Sequence, residues 1–229
     1  MSFSRGPLIT TDGLSILIDV GNDKSYPNTG IQALDIAGKN SVVINGITYT
    51  DNNFGSFNFD GTNDYIDFGS DIIVSPDEQG WTAEYWFRTT SSTKLQHFNS
   101  AENDEFNANW LAIYNQKLAV WNRNPGYWRY GSTLIQNNVW YQAVFVCDEG
   151  GINYRFYING EREGGSHVDN EWNPIYSSFE IRYVGRYEYN NSYSRYFIGE
   201  IPIVKIYNRS LSDSEILKNY EANKSRFLI

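Results

Sequence analysis

The sequence predicts an all-β protein: an antiparallel two-sheet β-sandwich closed by a short C-terminal helix. Three observations carry this. Phe, Trp and Tyr make up 17% of the chain, and aromatic side chains favour pleated, half-buried surfaces. Asn-Gly or Asp-Gly pairs punctuate short apolar runs at Ile44-Asn45-Gly46-Ile47, Phe59-Asp60-Gly61-Thr62 and Ile158-Asn159-Gly160-Glu161, supplying the positive φ angles that tight hairpins need. Near the C-terminus Ser212 stands three residues before Glu215, the spacing of a capping box.

The elements follow in order. Phe57-Asn58-Phe59 and Tyr65-Ile66-Asp67-Phe68 alternate as half-buried strands do, and Trp81 to Phe87 is denser in aromatics. Further strands are expected at Trp110 to Tyr114, Lys117 to Trp121, Trp140 to Cys147, Tyr154 to Ile158, Phe179 to Val184 and Ile198 to Tyr207. Many short strands with regular turns indicate a sandwich or barrel. Pro202 falls inside the last strand; because proline donates no ladder hydrogen bond, that strand is expected at an edge or bulged there. After Ser212, Ile216, Leu217 and Tyr220 give the helix an apolar stripe. So short a helix is stable only when docked, here against the outside or edge of the sandwich.

The 229 residues suit one all-β domain of roughly 200–250 residues, with short terminal arms at 1–8 and 224–229. The apolar end Phe227-Leu228-Ile229 is expected to be buried or packed on a partner. A chain of this size buries about 70% of its unfolded surface and needs no disulfide or metal to be stable. Its one cysteine, Cys147, ends the apolar run Ala143-Val144-Phe145-Val146 and reads as a buried small hydrophobe. No apolar run reaches the roughly 18 residues of a membrane helix, and Met1-Ser2-Phe3-Ser4-Arg5 lacks the apolar core of a signal peptide. The formal net charge of −9 argues against nucleic acid as a partner, because contacts to phosphates would form against a repulsive mean field.

Read in order, the motifs resemble the laminin-G-like, concanavalin A-like jelly-roll family, in the branch common among tailed-phage virion proteins. The resemblance is carried by Gly6 to Asn22 with Ser25-Tyr26-Pro27-Asn28-Thr29-Gly30, by Phe59-Asp60-Gly61-Thr62-Asn63-Asp64-Tyr65-Ile66 and by Trp81-Thr82-Ala83-Glu84-Tyr85-Trp86-Phe87. It continues through Phe156-Tyr157-Ile158-Asn159-Gly160, Phe197-Ile198-Gly199-Glu200-Ile201 and Ile206 to Ile216. One departure stands out: Ile31-Gln32-Ala33-Leu34-Asp35-Ile36-Ala37-Gly38 lacks a Trp that similar proteins often carry before the Asp.

The resemblance implies a non-enzymatic virion structural or decoration protein, on the capsid or a fibre at the phage particle surface, made in the host cytoplasm. Its partners would be virion proteins, a second copy of itself, or cell-surface glycans. The alternative is a calcium-assisted carbohydrate-binding lectin domain, and the third reading is a glycoside hydrolase. The hydrolase needs two carboxylates flanking the scissile bond. The Glu-x-Asp-x-x-Glu run that glucanases of this fold carry on one strand does not occur here, and Glu102-Asn103-Asp104-Glu105 reads as a solvated loop. His97 and His167 are the only histidines, too few and too isolated for zinc or triad chemistry.

Calcium takes hard oxygen ligands from loops, and related domains bind it at one rim. The candidate ligands are Asp19, Asn22, Asp23 and Asp35, whereas Asp60, Asn63 and Asp64 read as turn formers that satisfy their own backbone. A glycan site needs aromatic faces beside polar groups. Two stretches, Trp121 to Tyr130 and Arg186 to Tyr196, have that mixture and read as loops or hairpin tips. Within them the candidates are Trp121, Tyr127, Trp128, Arg129, Tyr187, Tyr189 and Tyr193. The same residue types mark protein–protein hot spots, so both uses stay open.

Overall fold

The structure, a computed structural model, describes residues 8–74, 80–101, 109–122, 127–148, 154–164, 179–189 and 192–228. In chain order the strands are β1 (Leu14–Asp19), β2 (Gln32–Leu34), β3 (Ser41–Asn45), β4 (Thr48–Thr50), β5 (Ser56–Asp60), β6 (Tyr65–Val74) and β7 (Trp81–Thr89). There follow β8 (Gln96–His97), β9 (Asn99–Ser100), β10 (Asn109–Tyr114), β11 (Lys117–Asn122), β12 (Tyr127–Tyr130) and β13 (Trp140–Cys147). The last are β14 (Tyr154–Ile158), β15 (Glu161–Arg162), β16 (Phe179–Val184), β17 (Tyr187–Tyr189), β18 (Ser192–Ser194) and β19 (Ile198–Tyr207), before helix α1 (Asp213–Asn223).

All pairings between these strands are antiparallel, and they build two layers. One sheet has the order β15-β14-β13-β7-β19-β5-β4, with β1 also on β19. The other layer comprises β2-β3-β6-β16-β9 and β12-β11-β10-β8. These two pieces run into each other through Phe98, whose N–H donates to Leu111 O (2.8 Å) and whose carbonyl accepts from Gly185 N (3.1 Å). The core lies between the layers, where Phe57, Phe59, Phe87, Phe98, Phe145, Phe179 and Phe197 are all essentially inaccessible. Fully burying each such side chain contributes about 1.5–3 kcal/mol.

Pro202 lies in a central strand, not an edge one. The N-terminal half of β19 pairs with β5 (Ile198↔Asp60 to Ile201↔Phe57) and its C-terminal half with β1 (Ile203↔Asp19 to Tyr207↔Leu14). Proline sits at the changeover, where the register against β7 also slips between Glu200 and Ile203. It needs to donate nothing there, and its carbonyl accepts from Val20 N (2.9 Å). The expected bulge is present, and it is the bulge that admits proline to the middle of a sheet.

Of the three glycine turns only Asn159-Gly160 closes a hairpin, β14 to β15, with φ of 52° and 80°. Asn45-Gly46 and Asp60-Gly61 instead carry the chain from one layer to the other, since β3 and β6 lie in one sheet and β4 and β5 in the second. The Asp60 turn is held as its residue types suggest. Asp60 Oδ1 accepts from Thr62 N (2.7 Å) and Asp64 Oδ2 from Asp60 N (2.8 Å).

Helix α1 begins at the expected cap: Ser212 and Glu215 form both halves of the capping box. It covers the outer face of the sheet that contains β7, β13 and β19. Ile216 packs into a cluster with Val144, Val146, Tyr157, Tyr207 and Leu211, and Tyr220 stacks on Trp86 at 5.9 Å. Leu217, expected on the buried stripe, is 45% exposed, and Asn219 is buried in its stead. Beyond the helix Phe227 packs on Trp86 (4.5 Å) and Trp140 (4.8 Å), so this part of the apolar end docks on its own chain. Residues 1–7 and Ile229 lie outside the described residues. Cys147 is buried, and burial pushes its thiol up to about 12, which keeps it protonated and unreactive.

Candidate functional site

With α1 on one layer, the contrasting surface is the outer face of β8, β10, β11 and β12. On a strand, successive side chains point to opposite faces. Leu111 and Ile113 of β10 and Leu118 and Val120 of β11 enter the core, so Trp110, Ala112 and Tyr114 with Lys117, Ala119 and Trp121 face out. Register then aligns them. Trp110 pairs with Trp121 and Trp121 with Trp128, while His97, Ala112, Ala119 and Tyr130 form the next row.

The small alanines are the floor, fully covered, and the rings lie over them. Trp110 and Trp121 are nearly parallel (6.3 Å between centroids, 9°), and Trp128 lies 5.3 Å from Trp121. Tyr114 stacks on Trp128 (4.8 Å) and Tyr130 (5.9 Å). Trp110 is 6% exposed, whereas Trp121, Trp128, Tyr114 and Tyr130 each keep part of their surface in solvent. The result is an aromatic platform of four partly open rings on a well-packed base.

Its far side is closed by the β17–β18 hairpin. Gly185, at φ 88°, starts it beneath Phe59, where a Cβ would come within 2.4 Å of that ring. Tyr187 then packs edge-on against Trp110 at 4.7 Å and against His97 at 4.8 Å. His97 is fully buried, and neither ring nitrogen has a hydrogen-bond partner. Burial, and then the positive charge of Arg195, hold the imidazole well below the ordinary histidine pKa, so at pH 7 it is neutral, with one donor and one acceptor. Burial, followed by the neighbouring Tyr114, raises the Tyr130 phenol, which keeps its O–H available as a donor.

The depressed His97 pKa predicts a pH effect. As pH falls, the unfolded chain takes up this proton first, so stability present above about pH 6.5 is lost below it. Between pH 7 and 5 the melting temperature should fall less steeply for His97→Gln than for the parent. Equal slopes would contradict the assignment.

Of the expected glycan residues, the structure brings together Trp121, Trp128 and Tyr187. Arg129 points the other way, as its place between Trp128 and Tyr130 requires. It is buried over the Tyr154 ring at 5.6 Å, and burial lowers its pKa. The backbones of Tyr127, Tyr189 and Tyr193 pair with Asn122, Ser192 and Glu188, but their side chains lie outside the described residues. So do His167 and Glu102 to Glu105. Trp110, Tyr114 and His97 were not among the expected site residues.

The four expected calcium ligands do not converge on one another's free oxygens. Asp35 is fully buried and accepts from Leu17 N, Ala37 N, Gly38 N and Asn40 Nδ2. Asp19 pairs with Arg226 at 2.6 Å, and Asn22 accepts from Lys24 N at 3.0 Å. Asp23 is exposed. Among the described residues there is no group of three or more His, Cys, Asp or Glu side chains placed to hold a metal.

Away from the platform, a concavity of about 420 Å³ lies between β14, β15 and α1 and is lined by Thr133, Asn159, Arg162, Glu163 and Tyr220 among others. Glu163 accepts there from Thr133 N at 2.8 Å. It is a polar groove with a single aromatic ring, unlike the platform.

A sequence model of the concanavalin A-like lectin/glucanases superfamily matches residues 60–217. The chain belongs to that superfamily. No curated protein sequence is significantly similar to it. Among solved structures, domain 4 of the extracellular arabinanase AbnA of Geobacillus stearothermophilus, in complex with arabinotriose, superposes with a TM-score of 0.63 at 16% identity, over 90% of this chain and 98% of that one. The binding domain of Paraclostridial Mosquitocidal Protein 1 gives 0.63 at 14% identity, over 92% and 52%. The receptor binding domain of the botulinum neurotoxin C/D mosaic serotype gives 0.61 at 14%, over 93% and 52%. The chain therefore spans about half the length of these toxin domains, and at such identities the likeness is one of fold.

Proposed function

We propose that the protein is a non-catalytic carbohydrate-binding domain that lays a saccharide against the open rings of Trp121 and Trp128. The observation that carries this reading is the in-register row Trp110, Trp121, Trp128 on the outer face of a sheet. Period-2 patterning ordinarily puts polar groups on a solvent-facing side, so partly exposed indoles there call for a partner. Flat apolar ring faces with phenol donors at their rim, Tyr114 and Tyr130, suit the C–H faces and hydroxyls of sugars.

Support comes also from the superfamily, which holds lectins as well as glucanases, and from the arabinanase domain solved with arabinotriose. The non-catalytic part rests on charge. No carboxylate occurs among the described side chains of the platform, and the buried Glu84 and Glu200 are tied to Lys205 and Arg88. Hydrolysis requires two carboxylates free to act. The proposal does not depend on the virion setting that the motifs imply.

The test is isothermal titration against a panel of neutral and acidic oligosaccharides, with an assay for released reducing ends. At least one should bind without being cleaved. If none binds, or if cleavage accompanies binding, the reading fails.

A further inference from the structure

Resting on the platform reading, we infer that its saccharide is acidic and that Arg195 holds the sugar's anionic group. Arg88, Arg155, Arg182, Arg209 and Arg226 each hold a carboxylate of this chain. Arg195, in a chain with 27 acidic and 18 basic residues, has no such partner among the described residues and is exposed. Nor is it loosely placed. Its carbonyl accepts from His97 N at 3.1 Å, and its guanidinium lies 4.5 Å over the Tyr187 ring.

Its backbone is left-handed, at φ 54°, which is uncommon for a residue with a side chain. Two contacts and a strained backbone thus fix a free cation at the border of the aromatic cluster. At the other end of the platform Lys117, opposite Tyr114 in register, faces out from the same strand as Trp121 and makes no ion pair with a described residue. The described platform therefore carries cations at two sides.

A guanidinium stacked on an aromatic ring keeps its N–H fork for an anion, and the fork matches a carboxylate in bidentate fashion. The chain's net charge of −9 does not forbid this. At physiological salt, charges beyond roughly 8 Å are screened, so the local cations decide. The shared chemistry is an anionic sugar, whose charge comes from a uronate carboxylate or a sulfate ester.

The experiment titrates the parent, Arg195→Gln, Lys117→Gln and Trp128→Ala with an oligogalacturonate, a heparin oligosaccharide and a neutral cello-oligosaccharide at 0.05 and 0.5 M NaCl. The parent should prefer one of the acidic probes, and the preference should shrink at high salt. Arg195→Gln should weaken the acidic probe about tenfold while leaving the neutral one and the melting temperature unchanged. Galacturonate preference identifies a carboxylate, and heparin preference a sulfate. Equal affinity of the parent for acidic and neutral probes, or an Arg195→Gln variant that binds the acidic probe like the parent, overturns the inference and leaves the platform standing. Failure of every probe to bind, or a Trp128→Ala variant that binds them all like the parent, removes the platform reading and this inference with it.

Discussion

Lys205→Met should cost about 3–5 kcal/mol of folding stability, because it leaves a carboxylate buried without its cation. Glu84 is fully buried, Lys205 nearly so, and their charged atoms are 2.7 Å apart. The pair is the centre of a larger network. Glu84 also accepts from Trp86 Nε1 (3.1 Å) and Asn219 Nδ2 (2.8 Å). Asn219 in turn donates to the Tyr207 hydroxyl (2.9 Å) and accepts from Thr10 N (2.7 Å), and Tyr207 donates to Thr10 O (3.0 Å).

One polar cluster thus ties the N-terminal segment and α1 to the sheet. Domains of this kind are stable by only about 5–15 kcal/mol, so the loss is large. Replacing both charges, as Glu84→Met with Lys205→Met, should recover part of it, since two well-packed apolar groups carry no desolvation cost. Urea unfolding of the parent, the single and the double variant is the measurement. A loss below about 1 kcal/mol for Lys205→Met would show that the network does not hold the helix.

Trp128→Ala should weaken saccharide binding by roughly 30-fold or more, an effect of about 2 kcal/mol. Trp128 is the ring on which the platform converges. It touches Tyr114 at 4.8 Å, Trp121 at 5.3 Å and His97 at 6.2 Å. Removing it deletes one sugar face and uncovers the alanine floor. Because it is partly solvated, its loss should cost less stability than that of Trp86, which is fully buried. Isothermal titration with the best-binding oligosaccharide, beside a thermal melt, separates the two effects. Unchanged affinity with an intact fold would contradict the site.

Much of the fold was legible because its signals are local. The expected strands β7, β10, β11, β13, β14, β16 and β19 coincide with apolar runs, whereas β8, β9, β12, β15, β17 and β18, short and mostly polar or mixed, were not expected; the Ser212–Glu215 box marks the helix start. What failed needed three-dimensional information. Positive φ at Gly46 and Gly61 reverses the chain equally well within a sheet or between sheets, so the sequence could not say which. Leu217 looked like part of the buried stripe, but the helix turns its polar Asn219 inward to meet Glu84, a partner 135 residues away.

The candidate site divides the same way. The alternation Trp128-Arg129-Tyr130 already separates an outward ring pair from an inward arginine, and that signal could have removed Arg129. Trp110 and Tyr114 alternate with Leu111 and Ile113, apolar on both faces, so periodicity gives no direction there. Register alone puts Trp110 beside Trp121. His97 carries no sequence signal at all, since its burial comes from Tyr187 and Trp110 arriving from other elements.

The most direct test of the platform is ¹⁵N nuclear magnetic resonance of the tryptophan indole N–H groups during titration with the best-binding oligosaccharide. The indole signals of Trp121 and Trp128 should shift with saturation, while those of the buried Trp81 and Trp86 stay in place. Shifts confined to backbone amides around Thr133, Asn159 and Glu163, with Trp121 and Trp128 unmoved, would put the ligand in the polar groove beside α1 and contradict the account.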